Sequence, residues 1–264
     1  MRQEKRKIMD YPCTISYDAD TDPDTSFQKQ LPYCVLPKDH TLEAENLLET
    51  GKMDFYHTLE ELQHLPEFHL EKGRMKDTLD GCRRYIKDGK TVMFQVSGPF
   101  TILNGLTDLG MVYRALRRQK EELKPVLDHL QKQLLIFMKA ISDMQIPLIS
   151  YADPAGGVKM LGHETAAWMA ENFTCPLFRA ADEIMNPRTT VVFCPKTALA
   201  LIGANMAEKQ IINLQEIKTE TYTKTYAEAC TELAGKVRFI GQTCMHQGLQ
   251  HFVNGQIEAL VLKG

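Results

Sequence analysis

Short apolar segments that read as buried strands alternate along this chain with segments carrying an apolar residue at every third or fourth position. That alternation constrains the fold more than any other feature. Strands separated by amphipathic helices pair in parallel, with the helices as crossovers. Strand-like segments occur at 31–36, 91–96, 147–152, 189–194, 210–214, 237–241 and 257–262. Between them lie helical patterns. Leu59, Leu62 and Leu65 are stopped by Pro66, and Met75, Leu79, Cys82 and Ile86 form one face. The longest pattern runs over 121–144, with Val126, Leu127, Leu130, Leu134, Phe137, Met138 and Ile141 as its apolar face and Pro125 near its start. Further helical blocks fall within 163–185, 197–207 and 223–234. A closed barrel of this type has eight strands. The sequence therefore predicts an α/β chain folded as one TIM-type (β/α)8 barrel, shortened or irregular by about one strand. It spans 1–264, with a polar segment at 1–30.

The strand ends draw attention because a barrel of parallel strands gathers its chemistry at their C-terminal mouth. Gln95 and Ser97 stand where a buried strand becomes a loop, and Gly98-Pro99 breaks the strand. Asp153 directly follows an apolar strand, where a carboxylate is either a cap or an acid in a cleft. Tyr151 lies two residues earlier, on the same face by the strand's period. Cys194 ends another apolar strand, and taken alone reads as a small buried apolar residue. In Gln242-Thr-Cys244-Met-His246 a thiol and an imidazole stand two apart after a strand, both good zinc donors. A zinc ion held by Cys194, Cys244 and His246 is expected if these strand ends meet at one mouth.

Composition excludes several classes. The chain has 264 residues with 44% apolar and 25% charged residues, which is ordinary for a globule. Its net charge of −3 gives no strong pull toward nucleic acid. No apolar run approaches the roughly 18 residues of a membrane span, and Met-Arg-Gln-Glu-Lys-Arg-Lys leads into no apolar stretch of a secretory signal. Seven cysteines, with no C-x-x-C pair, read as reduced thiols of a cytoplasmic protein. Asp18, Asp20, Asp22 and Asp24 resemble a calcium loop in spacing only. Pro23 takes the place of the required glycine, and Lys29 that of the closing glutamate.

The stretch from about 55 to 154 resembles the uroporphyrinogen decarboxylase superfamily. The resemblance rests on Leu-Glu-Glu-Leu…Leu-Pro at 59–66, the amphipathic helix of 75–86, Val-Ser-Gly-Pro-Phe-Thr-Ile at 96–102, and Asp153-Pro154 after the long helix. A looser match continues through 190–202 and 236–242. The resemblance implies a TIM-type barrel. It also implies one of two chemistries: metal-free decarboxylation of a porphyrinogen, or zinc-dependent methyl transfer from a methylated corrinoid to a thiol. In the methyltransferase branch a His-x-Cys pair and a distant cysteine hold zinc. Cys194 matches the first cysteine, whereas Val192 replaces the histidine, and the chain ends where the last cysteine's loop would begin. Cys244 and His246 as substitutes are our own inference from the residues.

Three functions follow as expectations. The first is a methyltransferase with zinc, a methylcorrinoid donor on a separate corrinoid protein, and a small thiol acceptor. Asp153 and Tyr151 would handle a proton, and Gln95, Ser97 and Gln242 would contact substrate. The second is a non-catalytic barrel that binds a corrinoid, a tetrapyrrole or a partner protein. The third is a porphyrinogen decarboxylase-like lyase, which the scarcity of arginines at the strand ends disfavours. A homodimer is common in the family.

Overall fold

A computed structural model describes residues 34–36, 56–68, 70–71, 73–87, 89, 92–214, 229–241 and 255–263. Its strands are β1 (Cys34–Leu36), β2 (Val92–Ser97), β3 (Leu148–Ala152), β4 (Thr190–Phe193), β5 (Ala207–Asn213), β6 (Phe239–Ile240) and β7 (Gln256–Leu262). The helices are α1 (Leu59–Leu62), α2 (Gly73–Lys87), α3 (Pro99–Asn104), α4 (Leu109–Arg118), α5 (Lys120–Asp143), α6 (Val158–Leu161), α7 (His163–Met169), α8 (Cys175–Ile184) and α9 (Pro195–Gly203). Residues 229–233 are also helical. A π turn over Ala170–Thr174 joins α7 to α8. None of the helices in the described residues is long and apolar enough to cross a membrane.

Local chemistry accounts for most of the element boundaries. Thr58 and Glu61 form a reciprocal capping box at the start of α1. Gly98 is the extended N-cap of α3, and Pro99 occupies its first position, where its missing N–H costs nothing. What reads in sequence as a strand breaker therefore also starts a helix. Asp108 caps α4 by accepting from the Gly110 N–H. Pro125 sits inside α5, past its first turn, and removes one N–H from the ladder there.

The strand order is β1-β2-β3-β4-β6-β7-β5. The first five pair in parallel, as the alternation predicts. The last two depart from that expectation. β7 runs antiparallel to β6, and β5 antiparallel to β7, from Ala207↔Leu262 to Asn213↔Gln256. Antiparallel neighbours need no crossover helix, so this part of the sheet escapes the alternation rule. The ladder as described runs from β1 to β5 without a pair joining those two edges, so the expected eight-stranded ring is represented by a seven-stranded mixed sheet.

The period of two along each strand divides the sheet into two faces. On one face Val92, Phe94, Val96, Ile149, Tyr151, Val191, Phe193 and Phe239 pack against the helices in the main core. On the other, Met93, Leu148, Val192, Ile240 and Ile257 join Ala229, Cys230 and Leu233 in a smaller core. The register Gln95↔Ser150↔Val192↔Ile240 runs across this second face.

Candidate functional site

The C-terminal ends of β2, β3, β4 and β6 lie side by side on one edge of the sheet. Ser97 pairs with Ala152, and Tyr151 with Phe193. The Cys194 N–H then donates to the Tyr151 carbonyl at 2.8 Å. Four segments far apart in sequence thus meet at one edge, as the strand-end pattern anticipates.

Asp153 is the chemical centre of this edge. Its carboxylate is turned onto the N-terminus of α3. Oδ1 accepts from the Thr101 N–H and from the Thr101 hydroxyl, both at 2.8 Å, and Oδ2 accepts from the Phe100 N–H at 3.3 Å. Asp153 therefore caps a helix other than its own, where the helix dipole favours an anion. Burial nevertheless outweighs those donors and raises its pKa from the ordinary 3.8 to about 6. Of the alternatives open in the sequence the cap is realised, and the capping carboxyl is also buried with a raised pKa.

Tyr151 belongs to the same neighbourhood but to the helix-packed face. Its ring makes an edge-to-face contact with Phe178 of α8 at 4.8 Å between centroids. Phe178 in turn touches Phe193 at 4.5 Å and Phe239 at 5.9 Å. The Tyr151 hydroxyl reaches Gly98. A Cβ there would lie 2.5 Å from that oxygen, 2.5 Å from Asp153 Cβ and 2.7 Å from Asp153 Cγ. Burial and the Asp153 charge together hold the Tyr151 phenol well above its ordinary pKa, so it stays a neutral hydrogen-bonding group. Gly98→Ala forces this triad apart. It is expected to cost about 2 kcal/mol, the range for overpacking a close-fitting site, as read from a thermal-unfolding midpoint. An unchanged midpoint would show that the edge yields freely.

Gln95 and Ser97 are buried on β2. The strand's period puts them on the second face, with Ser150, away from the Tyr151 ring. Cys194 is half-buried and is the N-cap of α9. It follows Val192 by two residues, so the same period assigns it to the second face, toward Gln95 and Ser97. The residues expected to form one site therefore divide. Tyr151 lies on the helix side of the edge, and Gln95, Ser97 and Cys194 on the other. Gln242, Cys244 and His246 lie outside the described residues. Among the described residues no three His, Cys, Asp or Glu side chains gather as a metal site.

A crevice of about 20 Å³ opens behind the β3 end, lined by Tyr151, Asp153, Thr197, Gly156, the π turn and Phe100. Thr197 was not visible as a site residue in the sequence, since a threonine in the first turn of a helix carries no signal of its own. A second cavity, about 290 Å³, lies between Tyr56, Thr107 and α4. Its Arg114 pairs with Asp108 at 3.5 Å, both exposed.

No family model matches the chain, and no curated protein matches it in sequence. Among solved structures, a methyltransferase from Methanosarcina mazei is similar to it, with 16% identity and a TM-score of 0.49, over 67% of this chain and 57% of that one. The chain thus spans little more than half of that neighbour's length.

Proposed function

We propose that this protein is a methyltransferase acting at the C-terminal edge of the sheet, with a small thiol as acceptor and a methylated corrinoid as donor. One observation carries the proposal: β4 and β6 are direct parallel neighbours, with Val191↔Phe239 and Val192↔Ile240 in register. Cys194 follows Val192 by two residues, and Cys244 follows Ile240 by four. The two sulfur-bearing segments therefore leave adjacent strands at the same edge. The sequence pattern at 96–102 and 153–154 resembles a superfamily that includes such methyltransferases.

Cys194 fits a zinc ligand in kind. It is a soft donor, half-buried at a strand end and at the N-cap of a nine-residue helix, where a thiolate is favoured. Cys244 and His246 are the other proposed ligands. Zinc, when bound, lowers the pKa of a thiol so that a thiolate exists at neutral pH. Gln95 and Ser97 orient the acceptor from the second face, and Gln242 is the third proposed contact to it. Asp153, its pKa raised to about 6 by burial, is ionised at neutral pH; it sits at the strand edge where the two faces meet, and we assign it the thiol's proton, with Tyr151 on the helix side as a neutral donor beside it. The sulfur lone pair forms the new S–C bond, and the electron pair of the broken methyl bond stays with the donor.

The test is metal analysis of the purified full chain, followed by Cys194→Ser. Zinc close to one per chain is expected, with affinity reduced roughly a hundredfold or more in the variant, as for loss of a direct ligand. Transfer from methylcobalamin to a small thiol should fall in parallel. A wild-type chain that neither carries nor takes up zinc rules the proposal out. If such a chain still bound methylcobalamin, a non-catalytic corrinoid binder would replace it.

A further inference from the structure

We infer that the crevice behind the β3 end is a binding site for one water molecule, held between the Thr197 hydroxyl and the Asp153 carboxyl, and that Thr197 positions Asp153 through it. The inference concerns Asp153 alone and does not depend on zinc or on methyl transfer.

The first observation is an orphaned donor. Thr197 is only 7% exposed, and its Oγ1 has no hydrogen-bond partner within the protein. A buried hydroxyl left so costs free energy unless water or a ligand satisfies it. A helical threonine ordinarily bonds back to a carbonyl of the preceding turn. Thr197 lies in the first turn of α9, where that recourse is spent. The Cys194 carbonyl already accepts from the Thr197 N–H and the Ala198 N–H, each at 3.0 Å.

The second observation is the crevice itself, which Thr197 and Asp153 line together. Its volume, about 20 Å³, exceeds the roughly 10–15 Å³ that one water needs and leaves no room for a larger ligand. A water also needs at least two polar partners. Asp153 has spare capacity, because its carboxyl takes the Thr101 bonds, one long bond from Phe100 at 3.3 Å on Oδ2 and a further, smaller pull from the adjacent Gly156 N–H, and the bond from Phe100 is too long to be strong. Ala166, Met169, Ala170 and Ala200 close the remaining walls with apolar surface, so a water there has few competing partners. Ala170 and Thr174 come from the π turn. Such a turn widens the helix at a functional position more often than elsewhere.

Other groups near Asp153 are engaged differently. Tyr151 is a neutral phenol, and Tyr113 of α4 donates to the Ala155 carbonyl at 2.7 Å. Lys196 of α9 donates to the Pro154 carbonyl at 3.2 Å and is exposed. Cys194 lies at the neighbouring strand end. His163 and Glu164 of α7 and Glu171 of the π turn are exposed. None of these supplies the hydrogen bond that a water from Thr197 would bring to the carboxylate.

Two measurements on the full chain test this. A crystal structure should show one water within about 2.7–3.2 Å of both Thr197 Oγ1 and an Asp153 oxygen. A carbon-13 titration of the aspartate carboxyls, with the Asp153 signal identified by its loss in Asp153→Asn, should give a midpoint that Thr197→Val raises by about one pH unit. Valine keeps the volume and removes the hydroxyl, so the carboxylate loses a bond that favours its charged form. Thr197→Ser should restore the wild-type midpoint. A dry crevice overturns the inference, and so does a Thr197→Val midpoint equal to wild type. Should the valine variant not fold, the water in the wild-type crystal and the serine titration remain as the two readouts. Zinc content is read separately and moves with neither.

Discussion

Phe178→Ala is expected to lower the melting temperature by on the order of 10 °C, corresponding to about 4 kcal/mol for deletion of a buried aromatic in a domain of this size. Phe178 is fully buried on α8. It makes edge-to-face contacts with Tyr151, Phe193 and Phe239, which come from β3, β4 and β6. Pairs of this geometry add roughly 0.5–1.5 kcal/mol each beyond the area they bury. Phe193 and Phe239 stack on one another at 5.4 Å, so the cavity left by the deletion has rigid walls and collapses poorly. One helix residue thus sets the spacing of the three strands that deliver Asp153, Cys194 and the segment after β6 to the common edge. Phe178→Leu should recover most of the loss, since it refills much of the volume. A shift of less than about 2 °C in the alanine variant would mean that the helix layer is not what holds these strands in register.

The same residues explain what could be read from the sequence and what could not. Parallel pairing of β2, β3, β4 and β6 follows from apolar runs separated by amphipathic helices, and both signals are strong here. The strand-end positions of Ser97, Asp153 and Cys194 follow directly from where those runs stop. α3 was hidden because Gly98-Pro99 carries two messages, a strand break and a helix start, and only the first is audible without knowing what lies beyond. The antiparallel β5 and β7 escaped because hydrophobic periodicity does not record strand direction. Which face each site residue occupies needs the register of neighbouring strands. Tyr151 and Gln95 look equivalent in sequence yet lie on opposite faces of the sheet. Thr197 gave no signal, since its importance comes entirely from a carbonyl already in use and a turn on another helix. The two meanings of Asp153, cap and acid, were both legible. That they coincide was not, because Phe100 and Thr101 lie more than fifty positions away in the chain.

The pH dependence of stability should carry the mark of that coincidence. Asp153 is 8% exposed, and its pKa rises from 3.8 to about 6 on folding, chiefly through burial and against the pull of the Thr101, Phe100 and Gly156 donors. A raised pKa means that the folded state holds this proton more tightly than the unfolded one. The protonated carboxyl therefore contributes stability that is fully present below pH 3.8 and is lost as pH rises through about 6. The size of the effect is about 3 kcal/mol, since each tenfold gain in proton affinity on folding is worth roughly 1.36 kcal/mol. Exposed carboxylates act in the opposite sense. Glu61, bonded by the His57 N–H, and Asp80, bonded by Lys76, both have lowered pKa values and lose stabilising interactions as pH falls. Total stability against pH therefore blends the two, and the clean quantity is the difference between wild type and Asp153→Asn. Between pH 4 and pH 7 that difference should move by about 2 kcal/mol in favour of the variant, most of the whole effect, because asparagine carries no charge to desolvate. A difference curve that is flat, or slopes the other way, would mean that the α3 donors outweigh burial and hold Asp153 ionised throughout. The residue would then be chiefly a cap, its carboxylate too weak a base to take a thiol's proton, and the methyl-transfer proposal would need another acceptor.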